Sequence, residues 1–115
     1  MAKLIYKICP AALWRQAERD GVFTGAPIDH ADGFIHFSTE GQLRETAEKH
    51  FAGQDDLVLV AVDEAVLGEA LRYEISRGGQ PFPHLYAPLA LVAVRWVRPL
   101  PLGHDGKHRF PPLAA

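Results

Sequence analysis

With a single cysteine, Cys9, the chain has no internal disulfide, and this excludes a small secreted scaffold held by staples. No apolar run approaches the roughly 20 residues that cross a bilayer as a helix, and the N-terminal "MAKLIYKIC" lacks both the long apolar segment and the small-residue cleavage site of a signal peptide. The expectation is a cytosolic protein with no membrane contact. Neither sign of charge is in excess: the net charge is −2 and the pI about 6.3, so the whole molecule exerts no long-range pull on nucleic acid, and only a local basic groove remains open to it. Phosphate loops of Walker or dinucleotide type are absent, since "RGGQP" runs into prolines and not into a helix, and there is no Gly-x-Ser-x-Gly elbow. His104 and His108 have the spacing of a helical metal pair, but Gly103, Asp105 and Gly106 argue against a helix there and no third ligand is apparent, so no metal is expected.

What is present reads as one ordinary globular domain. The 115 residues are 48% hydrophobic and 23% charged, enough for one core and short for two. Residues 3–9, "KLIYKIC", are rich in β-formers and stop at Pro10, which predicts a first strand with Cys9 buried at its end. "PAALWRQAERDG" begins with Pro, sets Leu13, Trp14 and Ala17 at helical spacing and ends in Gly, the asymmetry of helix ends. In "VFTGAPIDHADG" a short strand at Val22–Thr24 is followed by residues that read as loop. "GFIHFS" predicts a strand with Phe34, His36 and Ser38 on one face, and Thr39 with Gln42 forms a capping-box pattern that opens a helix through Leu43, Ala47 and Phe51. "DLVLVAVD" predicts a central strand covered on both sides. "DEAVLG" then reads as a helical turn and "ALRYEI" as a strand with Arg72 and Glu74 on one face. "SRGGQPFPH" reads as loop, because its prolines oppose a ladder, and "ALVAVRWVR" as the last strand. Residues 101–115 read as a Pro-rich tail that lies over the body or frays. The order predicts an α+β domain, 1–115, with a curved, mainly antiparallel sheet and two main helices.

Four groups of polar residues ask for a reason. His36 is either a half-buried histidine satisfied by backbone or one wall of a site. With Ser38 about 7 Å away on the same face, and the unpaired amides of a helix start beside them, the strand can hold a phosphate or carboxylate. Ser38 and Thr39 can equally be simple caps. Glu74 and Arg72 form either a surface ion pair or, inside a cleft, a carboxylate able to stabilise developing positive charge or to take a proton. In "PFPHLYAP", His84 and Tyr86 point to one side of a stiff backbone, as a ligand wall or as a rigid connection. Lys7, Arg15, Arg19, Arg44, Arg95 and Arg98 are scattered and need be no more than solvated surface.

Together "GFIHFST", "RYE" and "FPHLYAPL" resemble a small, mostly bacterial family of proteins, domain of unknown function 952, with the likeness running from "IYKI" to "VAV". The resemblance implies a fold of the ADP-ribosyltransferase type. In that wider superfamily a polar residue on the first strand contacts NAD, an aromatic or hydroxyl residue follows on a second strand, and a later Glu is catalytic. By position these fall near Tyr6 or Lys7, on His36 and Ser38, and on Glu74. The resemblance therefore implies an enzyme acting at a ribosyl bond of NAD or a related nucleotide, bound as substrate. Catalysis would rest on Glu74 and His36, and the ligand on Tyr6, Lys7, Trp14, Ser38, Thr39, Arg72, His84 and Tyr86. Two other readings stand beside it: acid–base chemistry by His36 and His84 on a phosphoryl or cyclic phosphodiester substrate, and a non-catalytic module that binds a small molecule or a protein.

Overall fold

A computed structural model describes residues 3–113. The first strand, β1 (Leu4–Pro10), leads directly into α1 (Ala11–Asp20), and Gly21 closes that helix in the left-handed conformation at φ 80°, donating its N–H to the carbonyl of Ala17 at 2.8 Å. After β2 (Val22–Phe23) comes α2 (Pro27–Asp32), a short helix where the sequence predicts loop. It has its own start and stop signals: Pro27 in its first turn, Asp29 accepting from the Ala26 N–H at 2.7 Å, and Gly33 at φ 85° after its last residue. The chain continues through β3 (Ile35–His36), a 3-10 turn at Glu40–Gln42, α3 (Leu43–His50), β4 (Leu57–Asp63), α4 (Glu64–Leu67), β5 (Leu71–Ile75), β6 (Pro81–Leu85), β7 (Leu89–Ala90) and β8 (Val94–Leu100). The expected pairing of Thr39 with Gln42 opens the 3-10 turn that leads into α3, with the Thr39 N–H donating to Gln42 Oε1 at 3.0 Å.

All strand pairs are antiparallel, in sheets ordered β1-β4-β8, β3-β6-β5 and β2-β7. The first two join where the chain leaves β3: Tyr6 and Ser38 exchange both backbone hydrogen bonds at 2.9 Å. The α+β class and the central place of "DLVLVAVD" therefore stand. β1 and β4 are buried on both faces, which explains their near-continuous apolar runs. Ile5, Cys9, Val60 and Val62 pack towards Trp14, Phe23, Phe37 and Leu85, whereas Tyr6, Ile8, Leu59 and Ala61 pack towards Leu43, Ala47 and Leu100.

β6 corrects a second expectation, since "PFPHL" is the middle strand of its sheet. Neighbouring residues of an antiparallel strand turn their backbone groups to opposite sides. Tyr86 donates to Ala70 on the β5 side, while the carbonyls of Pro81 and Pro83 accept from the Gln42 side chain and the Phe37 N–H on the other. Both prolines thus direct their missing N–H to the side where β3 is only two residues long. The tail, as far as residue 113, lies over the body: Tyr6 Oη donates to the Leu113 carbonyl at 3.0 Å and Arg98 Nη1 to that of Pro112 at 2.7 Å. Residues 114 and 115 of the expected tail lie outside the described residues.

A paired-histidine candidate site

The register of the second sheet sets Arg72 opposite His84 and His84 opposite His36, so three polar side chains form a row across β5, β6 and β3. The two imidazole centroids are 5.6 Å apart, inclined at 67°. Glu74 lies diagonally from His84, and its Oε1 accepts from His84 Nδ1 at 2.8 Å and from Tyr86 Oη at 2.6 Å. These two hydrogen bonds, Tyr86 first, hold the Glu74 carboxyl below its ordinary pKa, and the same bond raises that of the Tyr86 phenol. Half-buried Phe34 touches all three rings: it stacks on His84, itself only 5% exposed, at 4.0 Å and meets those of His36 at 4.5 Å and Tyr86 at 5.3 Å. The Arg72 guanidinium lies 5.3 Å from the centre of the Tyr86 ring.

His36 is held from α2. Asp29 Oδ1 accepts from the His36 backbone N–H at 3.0 Å and from Nδ1 at 2.6 Å, while Asp32 Oδ2 lies 2.9 Å from Nε2. The ring can donate to both carboxylates at once only as an imidazolium. Behind Asp29 stands Lys7, its ammonium 2.9 Å from each carboxylate oxygen and its side chain 6% exposed. Burial alone would raise the Asp29 pKa, but the His36 hydrogen bond, the Lys7 charge and the Ala26 N–H outweigh it and hold the carboxyl far below the usual range. Burial lowers the Lys7 pKa, offset only in part by Asp29. Lys7 is therefore a buried counter-ion and not the solvated surface charge that its sequence context predicts.

The remaining predicted site residues are not brought to this row. Alternation along β1 sends Lys7 towards Asp29 but Tyr6 to the opposite face, against Trp96 and Leu113. Trp14 is buried against Phe23. The Ser38 hydroxyl is 2.9 Å from Thr46 Oγ1, which itself donates to the Gln42 carbonyl and accepts from Arg77, while the Thr39 N–H is spent on Gln42. Asp29 and Asp32 are missing from the sequence-based set, and the overlooked signal is "APIDHADG", whose Pro-start and Gly-stop mark a helix placing both acids, together with the intervening His30, just before the "FIH" strand.

A separate groove between α3 and the tail is lined by Arg44, Glu48, Lys107, His108, Arg109 and Phe110. Its lysine lies 3.9 Å from Glu48, Arg109 lies 3.4 Å from Asp105, and His108 Nε2 is 2.8 Å from the Gln54 carbonyl. Among the described residues no group of three His, Cys, Asp or Glu side chains is placed to hold a metal ion, and no helix is long and apolar enough to cross a membrane.

Comparison with known structures finds protein CC0527 from Caulobacter crescentus. Its crystal structure is 50% identical, with a TM-score of 0.89 over 92% of this chain and 93% of that one. Its solution NMR structure is 51% identical, with a TM-score of 0.82 over 90% of each chain. No curated protein matches the sequence. The family profile described as "Protein of unknown function (DUF952)" matches residues 8–97, which span α1 through most of β8 and include every member of the histidine row, and the chain belongs to that family.

Proposed function

We propose that the paired histidines form an acid–base site for phosphoryl chemistry, cleaving a phosphate ester or a cyclic phosphodiester. The observation that carries this reading is the direct opposition of His36 and His84 across the β3/β6 pair, with a carboxylate on the Nδ1 of each ring. A carboxylate on one imidazole nitrogen fixes the tautomer and presents the other nitrogen for proton transfer. Glu74 in this way makes the His84 Nε2 lone pair the base: it takes a proton from the attacking water as the new P–O bond forms. His36, clasped by Asp29 and Asp32, is the acid, and gives its Nε2 proton to the leaving oxygen as the old P–O bond breaks. Arg72, next in the row, supplies fixed positive charge for the phosphoryl oxygens.

The test is hydrolysis of a nucleoside 2′,3′-cyclic phosphate and of a linear aryl phosphodiester as a function of pH. The expected profile is bell-shaped. His84→Ala removes the acidic limb, His36→Ala the alkaline limb, and each lowers kcat by roughly 100-fold or more. An undiminished rate in His84→Ala refutes the reading.

A second reading, within the ADP-ribosyltransferase-type fold that the sequence resemblance implies, has one supporting observation. Glu74 is held ionised, and only its Oε1 is engaged among the described residues. A fixed carboxylate of this kind stabilises the oxocarbenium-like ribose as a glycosidic bond opens. It predicts release of nicotinamide from NAD, abolished in Glu74→Gln with binding retained; NAD left intact by the wild type counts against it.

A further inference from the structure

We infer that Asp32 stands where a ligand's oxyanion binds: its carboxylate occupies the Nε2 face of His36, and an incoming phosphate or carboxylate group displaces it. The inference deepens the acid–base reading and rests on it for its catalytic meaning, but its binding test requires no turnover.

The two carboxylates on His36 are held very differently. Asp29 is buried and fixed by Lys7, by the Ala26 N–H and by the His36 backbone N–H, so the ring keeps its position whatever happens at its other nitrogen. Asp32 is the last residue of α2, its side chain is 45% exposed, and among the described residues the only hydrogen bond of that side chain is the one to His36. Gly33, at φ 85°, ends the helix directly after Asp32, so that carboxylate sits at the end of the element and is not enclosed within it. The imidazole is itself 32% exposed, so the nitrogen that Asp32 covers is the one on the solvent side. An exposed ion pair of this kind contributes little and is readily exchanged for another oxyanion.

Exchange also balances charge. The ligand brings one anionic oxygen for the one it displaces, so the charge beside His36 is unchanged, while Asp29 and Lys7 compensate each other beneath the ring. Arg72 lies two strands away in the same row, about 10 Å across the sheet, so a ligand long enough to span that row meets a second cation, whereas Asp32 can serve only His36. Selection follows: a neutral ligand gains nothing by displacing Asp32, and a phosphate or carboxylate replaces what it removes.

The experiment follows the imidazole nitrogens of His36 by NMR in uniformly labelled protein titrated with inorganic phosphate and, separately, acetate. Wild type, Asp32→Asn and Asp32→Ala are compared, with the backbone amide spectrum as the check on folding. The expected result is a saturable shift of His36 Nε2 in all three proteins, with phosphate bound roughly fivefold more tightly by both variants. Equal or weaker phosphate binding in both variants, a shift that spares Nε2, or no saturable shift in any of the three overturns the inference. If phosphate binds as expected and no phosphodiester is cleaved, the oxyanion site stands and the catalytic reading alone falls.

Discussion

Lys7 and Asp29 show how one residue's partner fixes the chemistry of another. Lys7 faces the same side of β1 as Ile5 and Cys9, in the main core, and a buried ammonium there is tolerated only because Asp29 meets it with both oxygens. Breaking such a pair by removing one partner is costly because the other charge stays buried. Asp29→Asn therefore lowers stability by about 3 kcal/mol. Lys7→Met costs less, since Asp29 retains the Ala26 N–H and both His36 donors; urea denaturation of the two variants checks that order. The pH dependence has a definite sign. Because the Asp29 pKa is lower in the folded than in the unfolded chain, its contribution is complete above the ordinary aspartate value of about 4 and is lost as pH falls through the depressed folded value. Acid titration followed by circular dichroism is expected to show a stability loss below about pH 4 that Asp29→Asn lacks.

The element that positions the site is α2, and its placement depends on Gly25. That residue sits at φ 119°, and a Cβ there would lie 2.9 Å from the Asp29 Cβ and 3.4 Å from its Oδ2. Gly25→Ala is thus expected to displace Asp29, lowering stability by about 2 kcal/mol and shifting the His36 ring resonances, whereas Gly33→Ala meets open space and carries the backbone strain alone. Thermal melts together with imidazole NMR separate the two effects. α2 was legible in principle, as Pro27, Asp29 and Gly33 are start and stop signals, but at six residues it offers no hydrophobic periodicity to outweigh its turn-forming composition. β6 was not legible in the same way. Prolines at alternate positions oppose a ladder in general, and they are accepted here only because both face the stretch where β3 gives way to β1.

At the scale of the molecule, the two faces of the β1-β4-β8 sheet are buried under different layers, and Cys9 lies in the larger core at 0% exposure. Burial pushes its thiol up to about 11, so neither access nor ionisation favours reaction in the native state. A thiol reagent at neutral pH is expected to label Cys9 only in step with global unfolding; rapid labelling of the folded protein would contradict the core placement. The tail closes the opposite layer, with Phe110 beneath Arg44 and Leu113 against the Tyr6 side of the sheet, and deleting residues 101–115 is expected to lower stability by about 2 kcal/mol or more. The sequence by itself determined the α+β class, α1, α3 and the doubly covered β4, because apolar periodicity and capping are local and need no partner to be read. It also marked His36, Glu74 and His84 as polar residues in strand-like surroundings. Only the tertiary structure decided which of them meet. Strand register set His84 between His36 and Arg72, a short helix brought Asp29 and Asp32 to His36, and the alternation of β1 sent Lys7 to that cluster and Tyr6 away from it. Those are long-range pairings, fixed by the packing of whole elements and carried by no single stretch of the chain.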